Sequence, residues 1–311
     1  MLSRTASSLY WLGRYVERAD FLARLLEATV RLDALTSRPV GEVAWSSALK
    51  VSDAEEAFGT TGHPLTQGCV VAFLARDQSH PASIASCLAM ARSNAKAVRT
   101  ALTREAWTAI NRAWLVFERP GDTDSTAATL ALVEAVKNET RGFEGAVQRM
   151  LRNQPTWFIR LGQAVERADT TARLLDVKYH ILLPQGERVG GLVDRDQWTT
   201  ILQTVSAVTA YRWLYSEGLR TGDVIDLLIA RPEMPRSLAA SAQETVEVLR
   251  SLSQHPCREG EANALAQARA ARMATTQTDD VILLGLHEYL RDFVRENDEL
   301  HDAIGRQFKF V

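Results

Sequence analysis

The chain has 311 residues, enough for one large core or two smaller ones, and carries 36 basic against 38 acidic side chains for a net charge of −2. So balanced a charge supplies no global field toward nucleic acid or an anionic membrane, leaving only a local patch for such a contact. Cys69, Cys87 and Cys257 form no CxxC pair and fit reduced thiols in small core positions of a cytoplasmic protein, not a disulfide frame or zinc site.

Near the start, Ala6 to Leu12 could open an export signal, but Arg14 cuts the apolar run short, which predicts a soluble, unprocessed chain. From there Leu12, Val16, Ala19, Ala23, Leu26 and Val30 fall in steps of three and four, one face of a long opening helix. An amphipathic helix is expected to begin near Trp45, and a short apolar helix at Cys69 to Ala75, well under the roughly 20 residues that span a bilayer. Pro81 suits the first turn of a helix carrying Ile84, Leu88, Ala91, Ala95, Val98 and Leu102. Trp107, Ile110, Trp114 and Phe117 share a face that reads as core, while Arg92, Lys96, Arg99 and Arg104 read as a solvated face. A long helix follows from about Asp124 to Arg152.

Further on, Gly186 to Gly191 reads as a loop, Thr221 and Thr278 as N-caps, and Pro235 as a second helix start. A last long helix runs from Thr278 to Gln307 with Ile282, Leu286, Tyr289, Leu290 and Phe293 on its buried face. His180, near the end of a long helix, suits its dipole. His287 and His301 are fourteen residues apart, about 21 Å at helical rise and too far for one metal. No segment alternates as a strand does, so the fold class is all-α.

Leu12-Gly13-Arg14-Tyr15-Val16-Glu17-Arg18-Ala19-Asp20-Phe21-Leu22-Ala23-Arg24-Leu25-Leu26 returns, starting at Leu161, with eleven of fifteen positions identical. Trp45 and Leu49 recur as Trp198 and Leu202, and Pro81-Ala82-Ser83-Ile84 as Pro235-Arg236-Ser237-Leu238. The repeat is therefore half the chain: 1–154 and 155–311, joined near Asn153-Gln154-Pro155. With no flexible linker at the joint, the expectation is one compact bundle of two pseudo-two-fold related repeats, about five to six helices each.

Beside the apolar face of each opening helix runs a charged stripe, Gly13, Glu17, Asp20, Arg24 and Gly162, Glu166, Asp169, Arg173. Asp20 can reach Arg24, and Asp169 can reach Arg173, as i,i+4 pairs. Arg18 and Arg167 point elsewhere, toward acids on neighbouring helices. Each glycine costs helix stability, which suggests that another backbone or a bound group comes close. Three readings fit: a structural network locking helix packing, two stripes facing across a cleft to hold a charged ligand or partner peptide, and a divalent-metal cage of Glu17, Asp20, Glu166 and Asp169. The arginines and the lack of a Glu-x-x-His element count against metal.

Tyr10-Trp11-Leu12-Gly13-Arg14-Tyr15-Val16-Glu17-Arg18-Ala19-Asp20, Asp77 through Ser83-Ile84 with Cys87-Leu88, Ala91-Arg92-Ser93-Asn94-Ala95 through Val98-Arg99, and Glu105-Ala106-Trp107 with Asn111 together resemble the bacterial Alpha-E family. The second copy departs from that pattern: Arg160 stands at the place of Trp11 and Gln163 at that of Arg14. The resemblance implies an all-helical protein that accompanies circularly permuted ATP-grasp ligases, transglutaminase-like peptidases and proteasome-like hydrolases in making or processing a peptide or amide. It brings no assigned catalytic residue. The binding candidates are Trp11, Arg14, Glu17, Arg18, Asp20, Arg24, Glu166, Arg167, Asp169 and Arg173.

Phosphate-loop, dinucleotide, zinc-protease and nucleophile-elbow signatures are absent from the sequence. The expectation is a non-catalytic helical adaptor of an ATP-grasp amide ligase, without metal or cofactor of its own, binding a peptide or amino-acid substrate or a partner between the repeats. The rival is an enzyme acting on a small peptide or amide, with Glu17 or Glu166 as general base, which requires a carboxylate of raised pKa. An RNA adaptor would need a contiguous basic surface.

Overall fold

The computed structural model describes residues 1–35, 38–118, 121–180, 191–253 and 259–310. Among them all regular structure is helical. The first half contains α1 (Ser3–Leu35), α2 (Arg38–Val51), α3 (Glu55–Gly59), α4 (Gln67–Val71) with a π-helical turn at Ala72–Arg76, α5 (Ile84–Ala97), α6 (Arg104–Leu115) and α7 (Thr126–Gln148). The second contains α8 (Gln154–His180), α9 (Leu192–Thr204), α10 (Val208–Leu214), α11 (Thr221–Ile229), α12 (Leu238–Leu252), α13 (Glu261–Thr275), α14 (Thr278–Leu284) and α15 (Leu286–Phe308).

The most extensive helix pairing is α1 against α8; α5 and α7 also pack on α1, and α12 and α15 on α8. The six apolar positions expected on one face of α1 are all buried. Two apolar clusters form along the central pair. One joins the C-terminal halves of α1 and α8 to α2, α9, α11 and the start of α12; the other joins their N-terminal halves to α6, α7, α13 and α15. Because N-terminal half meets N-terminal half, the central helices run in the same direction. Both clusters mix the two halves of the chain, and the level of residues 17–20 and 166–169 lies between them.

Glycine sets the closeness of the crossing. A Cβ on Gly13 would overlap the Ile159 carbonyl oxygen and stand 3.1 Å from the Gln163 nitrogen; one on Gly162 would overlap the Tyr10 carbonyl oxygen and stand 3.1 Å from the Arg14 nitrogen. The close neighbour expected beside these glycines is thus the other helix's backbone.

Several expected boundaries shift. Trp45 and Trp198 lie within α2 and α9, not at their starts, and both are buried. Pro81 and Pro235 precede their helices: Ser83 and Ser237 are the N-caps, accepting from Ser86 N at 3.1 Å and Ala240 N at 2.9 Å. Serine side chains satisfy the free amides there, so proline shapes the approach. Thr221 and Thr278 are first helical residues, with Arg220 and Gln277 at the cap positions; the Thr278 hydroxyl instead donates to Asp226 Oδ1 at 2.9 Å.

The final helix breaks at Gly285, whose φ of +98° interrupts the phase, so Ile282 is exposed while Leu290 and Phe293 are buried. Trp107 and Trp114 are only half-buried, with the Arg99 and Arg92 guanidiniums 5.4 and 4.1 Å from their ring centres. Cys87 is buried and Cys69 half-buried. Cys257, residues 186–190 and the His180 side chain lie outside what is described. No helix among the described residues is long and apolar enough to cross a membrane.

Candidate functional site

The ten candidates all stand on the central pair, six on α1 and four on α8. The structure sorts them into two networks, and no hydrogen bond among the described residues joins one network to the other.

In the first, Glu17 accepts from Arg167 Nη2 at 2.9 Å and Nε at 3.3 Å, and from Arg236 Nη1 at 2.8 Å. Arg236 also donates through Nη2 to Asp20 Oδ2 at 2.9 Å, so one guanidinium bridges acids a helical turn apart. Asp20 further accepts from Arg24 Nε at 2.6 Å and from Thr140 Oγ1 at 2.8 Å. The outer arm of Arg167 reaches Glu244 at 3.1 Å, which Arg160 also holds.

In the second, Glu166 accepts from Arg14 Nε at 2.6 Å, from Arg18 Nη2 at 3.0 Å and from Arg18 Nε. Asp169 accepts from Arg173 Nε at 2.9 Å, and Arg173 also approaches Asp53 at 3.5 Å. The Asp169 Oδ1 atom is buried without a hydrogen-bond partner among the described residues. Trp11 sits at the edge of this set, its ring 5.2 Å from the Arg14 guanidinium and stacked on Tyr15.

Reciprocity governs the two glutamates. Glu17 on α1 takes Arg167 of α8, and Glu166 on α8 takes Arg18 of α1, so each Glu-Arg pair is completed by the opposite helix. Glu17 is 4% exposed and Glu166 1%. Burial pushes the Glu17 carboxyl up, but Arg167 and Arg236 outweigh it and hold it below the usual range. Burial likewise opposes ionisation of Glu166, and Arg18 and Arg14 overcome it to bring its pKa to about 2. Asp169 goes the other way: burial raises it, and Arg173 does not compensate.

A cavity of about 180 Å³ opens in the second network, lined by Arg18, Val51, Asp53, Ala82, Glu166 and Asp169 among others. Of the candidates, Arg18, Glu166, Asp169 and Arg173 line it; Trp11, Arg14, Glu17, Asp20, Arg24 and Arg167 do not. The cleft expected between two facing stripes is not what this cavity shows: its lining holds Glu166, Asp169 and Arg173 of one stripe and none of Glu17, Asp20 and Arg24 of the other. Among the described residues no group of three or more His, Cys, Asp or Glu is placed to hold a metal ion.

The Alpha-E family profile, described as a predicted alpha-helical domain with a conserved ER motif, matches residues 1–308. The chain belongs to the Alpha-E family. No curated protein and no solved structure matches it. In this Alpha-E chain the Glu17-Arg18 and Glu166-Arg167 pairs form cross-helix ties, with Glu17, Glu166 and Arg167 buried and Arg18 half-buried.

Arg236, Glu244 and Thr140 are site residues that sequence reasoning missed. Arg236 carried a signal, since it is the one charged residue in a four-residue match whose other copy holds Ala82. Thr140 and Glu244 carried none, because nothing local places a threonine on α7 or a glutamate on α12 against another helix.

Proposed function

We propose that this Alpha-E chain is a non-catalytic helical adaptor of an ATP-grasp amide-bond ligase system, with a transglutaminase-like peptidase as a further partner. In this reading residues 1–154 and 155–311 form one domain about an approximate two-fold axis, and substrate or partner binds at the seam between them. The carrying observation is that both motif glutamates are buried and pinned by two arginines each. A general base needs a pKa near the working pH, and the arginines hold both carboxylates below the usual range. The reciprocal glycine contacts and Glu-Arg ties support the axis. The ligase and peptidase as partners, and a cytoplasmic place beside an ATP-dependent enzyme, come from what the family resemblance implies.

The test is co-purification of the chain with its neighbouring ligase, followed by ATP consumption measured for each alone and together. A rate or product range that changes only in the mixture supports the adaptor. A ligase whose turnover and products are indifferent to the chain ends that role.

A further inference from the structure

The halves treat matching carboxylates differently at the cavity beside Glu166 and Asp169. In the first network Arg236 enters from the turn before α12 and bridges Glu17 Oε1 and Asp20 Oδ2. The matching position in Pro81-Ala82-Ser83-Ile84 is Ala82, which ends at Cβ and lines the cavity. Glu17 Oε1 accepts from both Arg167 and Arg236, whereas among the described residues Glu166 Oε1 accepts from Arg18 Nε alone. Among the described residues Asp20 is held by Arg24, Arg236 and Thr140, and Asp169 by Arg173 only, although the residue is just 8% exposed. Asn297 of α15 does not relieve it, since its amide donates to the Val165 carbonyl at 3.1 Å.

The rim repeats the pattern. Ser206, at φ +58°, accepts from Arg24, and Asp53, at φ +54°, faces Arg173 at 3.5 Å. The cavity lining sets Asp53, Glu166 and Asp169 against Arg18 and Arg173, and among the described residues of that lining Asp169 Oδ1 is the buried side-chain acceptor left without a donor. Arg14 approaches Glu166 from outside this lining, through Oε2.

We infer that this cavity binds the guanidinium group of a small ligand, seated between Glu166 Oε1 and the Asp169 carboxylate as Arg236 is seated between Glu17 and Asp20. A planar fork spans two carboxylates one helical turn apart, which a single ammonium does less well. The volume leaves room for the first part of an aliphatic stem. The same group is carried by free arginine and by an arginine within a peptide. The inference rests on the proposed reading of the seam as a binding surface, and it names the ligand chemistry.

Calorimetric titration of the full chain with agmatine tests it, with butylamine as the ammonium control. One saturable site is expected, with butylamine weaker by at least about tenfold, the scale of a lost charge-assisted hydrogen bond. Ala82→Arg should fill the site from within, abolishing agmatine binding while raising Tm; Asp169→Asn should weaken binding, and Ala82→Arg decides alone if that variant does not fold. Comparing arginine with an N-acetylated arginine amide separates a free amino acid from a peptide source. The inference is overturned if the folded chain binds no guanidinium probe saturably, if butylamine equals agmatine, or if Ala82→Arg binds as the natural chain does. Agmatine binding by a chain that leaves the ligase indifferent would remove the adaptor role and keep the site; a stimulated ligase without agmatine binding would do the reverse.

Discussion

Glu17 and Glu166 have different fallbacks, and that difference predicts unequal costs of losing them. Arg167 would keep Glu244 and Arg236 would keep Asp20 if Glu17 became glutamine. Among the described residues Arg14 and Arg18 have no carboxylate within ion-pair distance other than Glu166. Removing one partner of a buried pair leaves an uncompensated charge, at about 3–5 kcal/mol. Glu166→Gln should therefore lower unfolding free energy by about that amount, and Glu17→Gln by distinctly less, as urea titration would read. Equal and negligible losses would mean that neither tie holds the helices together.

At the scale of an element, the α1–α8 crossing depends on two positions without side chains. Gly13→Ala or Gly162→Ala forces a methyl group onto a carbonyl oxygen of the facing helix. Overpacking costs about 1–3 kcal/mol and more where backbone must move, so either variant should melt lower despite alanine's better helix propensity. A melting temperature at or above that of the natural chain would show that the helices do not touch there.

Much of this was legible in advance. The three-to-four spacing on α1 and the return of Leu161-Gly162 to Leu175 give the central pair, and the paired glycines mark its close approach. Helix starts were less legible, because Pro81, Pro235, Thr221 and Thr278 are compatible with more than one cap position, and tertiary hydrogen bonds choose among them. The break at Gly285 was hidden because the apolar spacing of Val281 to Leu290 continues across it. The split of the candidates into two networks could not be read from α1 and α8, since Arg236 comes from the turn before α12 and Thr140 from α7.

For the whole molecule, the buried titrating groups set an acid limit. Burial and then Arg14 depress His301 from 6.5 to about 4, while its ring stays hydrogen-bonded to the Tyr10 hydroxyl at 2.8 Å. A group with a lowered folded pKa contributes stability above its unfolded value that is lost as pH falls through the folded one. Stability should thus begin to fall below pH 6.5 through His301, then fall again between 4.5 and about 2 as Glu166 protonates. Urea titrations in stepped buffers should show the upper step shrink in His301→Gln and the lower step shrink in Glu166→Gln. A flat profile from pH 7 to 4 in the natural chain would count against the half-buried neutral imidazole of His301.

The reciprocal tying of α1 to α8 is the claim on which the scaffold reading depends, and a double-mutant cycle on unfolding free energy tests it most directly. Glu166→Gln with Arg18→Gln should show a coupling of about 1–3 kcal/mol, because these partners meet across the helix pair. Glu166→Gln with Arg167→Gln should add to within about 0.5 kcal/mol, although these two are neighbours in sequence, because Arg167 serves Glu17. Additivity in the first cycle and strong coupling in the second would contradict the account.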